Sequence, residues 1–122
     1  MATAFSVLEK TTQLYTATFY DETGAVIPVA SLNTLVLTLY DSVTLVAINS
    51  RTQQNILNAN NVTVTSSGLL TWTMQPADNP ILNTSLAQEL HIALFEWTYT
   101  GGTSKAGKHQ AAFYVVNLAK VT

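Results

Sequence analysis

Residues 89–118 read ELHIALFEWTYTGGTSKAGKHQAAFYVVNL. Over 89–100 the side chains alternate: Ala93, Phe95, Trp97 and Tyr99 fall on one face. Leu90, Ile92 and Leu94 fall on the other, which turns polar at Glu96 and Thr98. A period of two marks a strand. Residues 109–118 are again rich in aromatic and β-branched side chains. Two long strands joined by a glycine-rich loop of about eight residues predict a β-hairpin.

The same loop invites a second reading. From Gly102 to Lys108 the spacing is G-x-x-x-x-G-K, which in a phosphate-cradling loop is followed by Ser or Thr and opens a helix. Here His109 follows, and the next residues, QAAFYVVNL, favour a strand. The helix N-terminus and the magnesium-binding hydroxyl that such a loop needs are both missing. The run LVLTLYD at 35–41 ends in an aspartate as a nucleotide-site strand does, but so does any buried strand entering a turn. The sequence therefore predicts a hairpin and no nucleotide site.

Outward from the hairpin, strands are expected at 13–20, 34–40, 44–48 (a short edge strand), 62–65 and 69–74. DETG at 21–24 reads as a turn, with Gly24 supplying a positive φ, and SSG at 66–68 reads as another. Residues 49–61 are crowded with Asn, Gln and Ser and read as a loop, and two prolines in QPADNP at 75–80 exclude a central strand there. Ser85 and Gln88 have capping-box spacing, so one short helix near 81–89 is expected to cross between sheets. With about seven strands and no long helix, the expected fold is all-β, an antiparallel two-sheet sandwich of immunoglobulin-like architecture. Residues 1–11 read as an N-terminal arm and 12–122 as one domain.

Composition narrows the function. The 122 residues suit a single domain, which at this size buries roughly 65–70% of its unfolded surface without a metal or disulfide. Cysteine is absent, removing thiolate chemistry and cysteine zinc sites. Charged residues are 10% of the chain and the formal net charge is −2, while 19 Thr, 9 Asn, 8 Ser and 6 Gln supply neutral polarity. Five basic residues give no electrostatic footprint for nucleic acid. The opening MATAFSVLEK lacks the pattern of a secretory signal, and no apolar run approaches the ~18 residues of a membrane helix. A weakly charged surface resists association little, which fits a protein that lives in an assembly.

No constellation of catalytic residues emerges. His91 and His109 lack metal-ligand spacing and would lie at opposite ends of the hairpin, and no G-x-S-x-G elbow or carboxylate pair is present. No enzyme activity, catalytic residue, cofactor or metal is therefore expected. Trp72, Trp97, Tyr99 and Tyr114 could stack on sugar rings, but Trp72 shares a face with Leu70 and Met74, and Trp97 with Phe95 and Tyr99. Core positions are favoured for both indoles.

Taken in order, YDETGAVIP, SLNTLVLTLYD, SSGLLTWTM, ALFEWTYTGG and AAFYVVNL resemble the small immunoglobulin-like modules of tailed-phage virion proteins, such as the N-terminal domain of baseplate upper proteins. The resemblance covers about residues 12–119. The chain departs from it in a longer 49–61 loop, in AQELHIA where a glycine usually leads into the penultimate strand, and in a longer hairpin loop with two lysines. The resemblance implies a non-enzymatic virion structural protein, assembled in the host cytoplasm. Foremost is a capsid decoration or cement subunit contacting major capsid or neck and tail proteins, with homo-oligomers compatible. The alternative is a tail, neck or baseplate module binding a host receptor glycan. Candidate protein contacts are Phe5, Val7 and Leu8 in the arm and Lys105, Lys108 and His109 at the hairpin tip.

Overall fold

The computed structural model describes residues 5–99 and 105–118. It is all-β, with two sheets packed as a sandwich. Its strands are β1 (Phe5–Leu8), β2 (Gln13–Thr18), β3 (Leu32–Asp41), β4 (Gln54–Asn55), β5 (Val62–Val64), β6 (Leu69–Met74), β7 (Gln88–Tyr99) and β8 (Lys105–Val116). One sheet has five strands in the order β1-β8-β7-β3-β4, and the other has three in the order β2-β6-β5.

The predicted hairpin is the spine of the larger sheet. β7 and β8 pair antiparallel over their full lengths, from Gln88 opposite Val116 to Tyr99 opposite Lys105. The alternation read from the sequence places the inner row of β7 in the core: Ala93 and Phe95 are fully buried, Trp97 and Tyr99 nearly so. Across from them on β3, Leu35, Leu37 and Leu39 are equally enclosed, and β6 contributes Leu70, Trp72 and Met74 from the other sheet. Trp72 lies edge-on to Tyr15, Phe95 and Phe113, the arrangement that aromatic quadrupoles favour.

Both predicted turns form. Gly24 (φ 85°) closes a turn in which Asp21 Oδ1 accepts from the Thr23 and Ala25 amides. Gly68 (φ 87°) donates its amide to Thr65 O at 2.9 Å.

Several expectations are corrected. Residues 5–8 are not a detached arm: they form β1, parallel to β8, with Phe5 opposite Phe113 and Val7 opposite Val115. No helix forms near 81–89 among the described residues. Gln88 instead starts β7, and the preceding amides find side-chain acceptors: Leu82 and Asn83 donate to the Glu89 carboxylate and Ser85 donates to Asn83 Oδ1. These bonds compete with helical ones. The strand expected at 44–48 is replaced by a turn, because Asp41 draws the chain back. Its carboxylate accepts from the Val43 amide and the Thr44 hydroxyl, its carbonyl accepts from the Leu45 amide, and Leu45 takes φ 63°. Only Ala47 returns to pair with Tyr40, and the edge position beyond β3 goes to β4.

The asparagine-rich 49–61 segment is a loop apart from β4, and it is anchored by a buried ion pair. Arg51 Nε and Nη2 bond the two oxygens of Asp78 at 2.6 and 3.1 Å, with both side chains almost wholly enclosed. Asn49 Nδ2 and the Gln75 amide also donate to Asp78, while Arg51 Nη1 donates to Gln54 Oε1 and Asn60 O. The guanidinium lies 5.6 Å from the centroid of the Trp72 ring. Positive φ at Asn49, Asn58, Asn60 and Asn61 explains the composition, because asparagine tolerates the left-handed region better than most residues.

Candidate functional site: the lysine-bearing hairpin

The GxxxxGK stretch divides at the start of β8. Residues 100–104, including Gly101 and Gly102, lie outside the described residues, and Lys105 to His109 belong to the ladder rather than to a loop tip. The alternation of β8 therefore separates the expected contact residues. Lys105, Gly107 and His109 share the inner face with Ala111 and Phe113, whereas Lys108 shares the outer face with Ala106 and Gln110.

Gly107 faces Trp97 across the ladder. A methyl group on it would sit 2.5 Å from two atoms of the indole. The ring is stacked on Phe19 at 4.1 Å between centroids and 13° between planes. The second glycine of the motif thus makes room for a core tryptophan.

Lys105 Nζ is bonded to the carboxylate of Glu22, which also accepts from the Tyr99 hydroxyl at 3.1 Å. The bond to Lys105 holds the Glu22 carboxyl below its usual range, and the same bond raises the Lys105 ammonium. Asp21, next along, is lowered chiefly by the Thr23 hydroxyl. These groups clip the DETG turn to the hairpin base. The Lys105 and Glu22 side chains remain open to solvent, so the clip adds little stability.

His109 turns inward and is half-buried. Its Nε2 lies 2.7 Å from the Tyr15 hydroxyl. Burial lowers the imidazole's pKa and raises that of the Tyr15 phenol. Tyr15 also stacks on Phe5, at 5.5 Å, and Phe5 in turn on Phe113, at 5.4 Å. Two residues expected at separate contacts, Phe5 and His109, are thereby joined through Tyr15 within one molecule. Val7 is in the core at 3% exposure and Phe5 is half-buried, so of the three N-terminal candidates only Leu8, at 45%, is exposed. Lys108 is exposed and 3.4 Å from Glu96.

His91 lies at the other end of the hairpin, opposite Phe113, whereas His109 is opposite Phe95. It is fully buried, and its Nε2 is 2.9 Å from Glu89 Oε1. That carboxylate therefore receives three donors and staples the 82–83 backbone to β7. The E-x-H spacing on one strand face was the available sequence signal, but nothing in it announced the loop amides that complete the cluster. Among the described residues no three His, Cys, Asp or Glu side chains are grouped to hold a metal. Trp97 and Tyr99, weighed as sugar platforms, are buried at 6% and 8% exposure.

No protein-family model, curated protein or solved structure matches this chain.

Proposed function

We propose that the chain is a structural subunit of a tailed-phage virion, a decoration or cement protein that binds neighbouring virion proteins and performs no chemistry. The reading begins with the order of turn and strand motifs in the sequence. The observation that carries it further is the character of the two outer sheet faces, which are almost free of charge. On the smaller sheet, Thr16, Thr71 and Thr63 lie side by side in register across β2, β6 and β5. On the larger sheet the outer face of β7 carries the half-buried Leu90 and Leu94 on either side of the buried Ile92. Surfaces of this kind pack against neighbours through apolar and hydroxyl contacts that salt does little to weaken.

Deleting the gene and heating the particles tests the proposal. Particles should still assemble but lose integrity at lower temperature than wild-type ones, and added purified chain should restore them. Particles of unchanged heat and low-salt tolerance would refute a cementing role.

A further inference from the structure

β2 is an open sheet edge. It lies outermost in the smaller sheet, and among the described residues β6 is the one strand paired with it. Along a strand, backbone bonds alternate from side to side. The odd residues of β6 bond towards β5: Leu69 O accepts from the Thr65 amide, and the Thr73 amide donates to Asn61 O. Its even residues therefore bond their partners on β2, which are Gln13, Tyr15 and Ala17. The N–H and C=O groups of Leu14, Thr16 and Thr18 point out of the edge, and no other described residue bonds them. None of the six residues of β2 is buried, although Tyr15 and Ala17 face inward. Natural sheets blunt such an edge with a lysine, a proline or a bulge, or keep it very short. QLYTAT has no charge, proline or glycine, and its register with β6 is unbroken. The other edges are blunted: β1, β4 and β5 are four, two and three residues long, and β8 beyond its pairing with β1 carries Lys108.

We infer that β2 pairs edge to edge with β2 of a second copy, antiparallel, about a twofold axis through Thr16. An open row of amides and carbonyls is complemented by another extended strand. Three features of this row select its own copy. The first is the backbone. The free groups sit at 14, 16 and 18, symmetric about Thr16. The twofold sets Thr16 opposite Thr16, and Leu14 opposite Thr18 of the second copy, in hydrogen-bonded pairs, so every free group finds a partner. The second is the outer face. Leu14 and Leu69, at 70% and 42%, are the exposed large hydrophobics on the strands of this sheet. Within one molecule they stand at opposite ends of β2, Leu14 beside Thr73 and Leu69 beside Thr18. The twofold brings Leu14 of the second copy into the row of Leu69, with the small Thr18 between them, and does so on both sides of the axis. Each copy supplies the leucine that the other's Leu69 lacks, the reciprocity of an isologous contact. The third is the inner face, where Tyr15 falls opposite Ala17 of the second copy, a large side chain beside a small one, and both half-buried positions gain cover. No charge lies near the axis, and the Thr16 hydroxyls meet each other, a favourable cross-strand pair. A twofold pairing of the β8 edge would instead bring Lys108 towards its own copy, which like charges oppose. The inference does not rest on the virion reading, since the contact belongs to the chain itself.

The chain has no cysteine, so one introduced cysteine reports the register. Across the axis the Cα atoms of position 16 would stand about 5.5 Å apart, within the roughly 4.4–6.8 Å that a disulfide spans. Those of position 14 would stand about 14 Å apart. Under mild oxidation of the purified chain at near-millimolar concentration, Thr16→Cys should form a covalent dimer about tenfold faster or more than Leu14→Cys or Thr63→Cys, all three at exposed positions. In sedimentation velocity the 13.2 kDa chain should shift towards twice that mass as concentration rises. Thr16→Lys and Thr16→Glu should each stay monomeric, and mixing the two should restore the dimer, because position 16 meets position 16. Circular dichroism verifies that each variant is folded. A wild-type chain that remains monomeric throughout overturns the inference. So does Thr16→Cys cross-linking no faster than Leu14→Cys, or a mixture of Thr16→Lys and Thr16→Glu that associates no better than either alone.

Discussion

A single missing methyl group at Gly107 lets the Trp97 indole lie across β8. Gly107→Ala should therefore cost about 1–3 kcal/mol through overpacking. Denaturant unfolding measures the loss, and combining it with Trp97→Phe should recover part of it, since the two sites share one space. Asp78→Ala should cost more, about 3–5 kcal/mol, because it strands the buried Arg51 guanidinium without its partner. His109 adds a pH dependence. Burial depresses its folded pKa below the ordinary 6.5, so the unfolded chain binds the proton more readily. Its contribution is full above pH 6.5 and falls away as pH drops through that value towards the folded pKa. Thermal melts should show this decline in wild type and lose it in His109→Gln.

The strands of the hairpin were legible because their alternation was long and their core face strongly aromatic. β6 was read to the residue for the same reason. Where the sequence misled, tertiary partners had overridden a local signal. The TLVAI stretch has strand composition, but Asp41 closes a turn first and leaves Val43, Leu45 and Val46 exposed at 82%, 70% and 54%. The capping-box spacing of Ser85 and Gln88 lost to the β7–β8 ladder, which takes Gln88 opposite Val116 and the Ala87 carbonyl for the Asn117 amide. β1 was missed because four residues joining a sheet in parallel leave no nearby partner to recognise; its partner is over a hundred positions away. The candidate contacts fared accordingly. The chemistry of Lys105 and His109 was visible, but not that both face inward, because that depends on where β8 begins. At this scale Val7→Ala tests whether β1 belongs to the domain. It should cost about 2 kcal/mol for two buried carbons and the space they leave. Chemical denaturation reads that loss, and an unchanged midpoint would mean that β1 docks elsewhere.

For the molecule as a whole, the buried ionic groups are committed to internal partners, ion pairs for Arg51, Asp78, Glu89 and His91 and turn donors for Asp41, and the outer faces are left almost neutral. Arg51 with Asp78 and His91 with Glu89 secure loops to strands, while Lys105 with Glu22 closes the hairpin base at the surface. Of the two lysines of the hairpin, Lys108 is the freer to meet a neighbour, with its side chain 71% exposed. In a particle-incorporation assay Lys108→Glu should therefore reduce uptake more than Lys105→Glu, whose main effect would be to open the clip with Glu22. We propose that this sandwich is a built-in component of a virion. The most direct measurement is electron cryomicroscopy of purified particles from the genome that encodes the chain. We expect density matching the five- and three-stranded sandwich at symmetry-related positions, packed against other virion proteins through its uncharged outer faces. Particles at the same resolution with every density assigned to other chains, and none of this protein detectable by mass spectrometry, would contradict it.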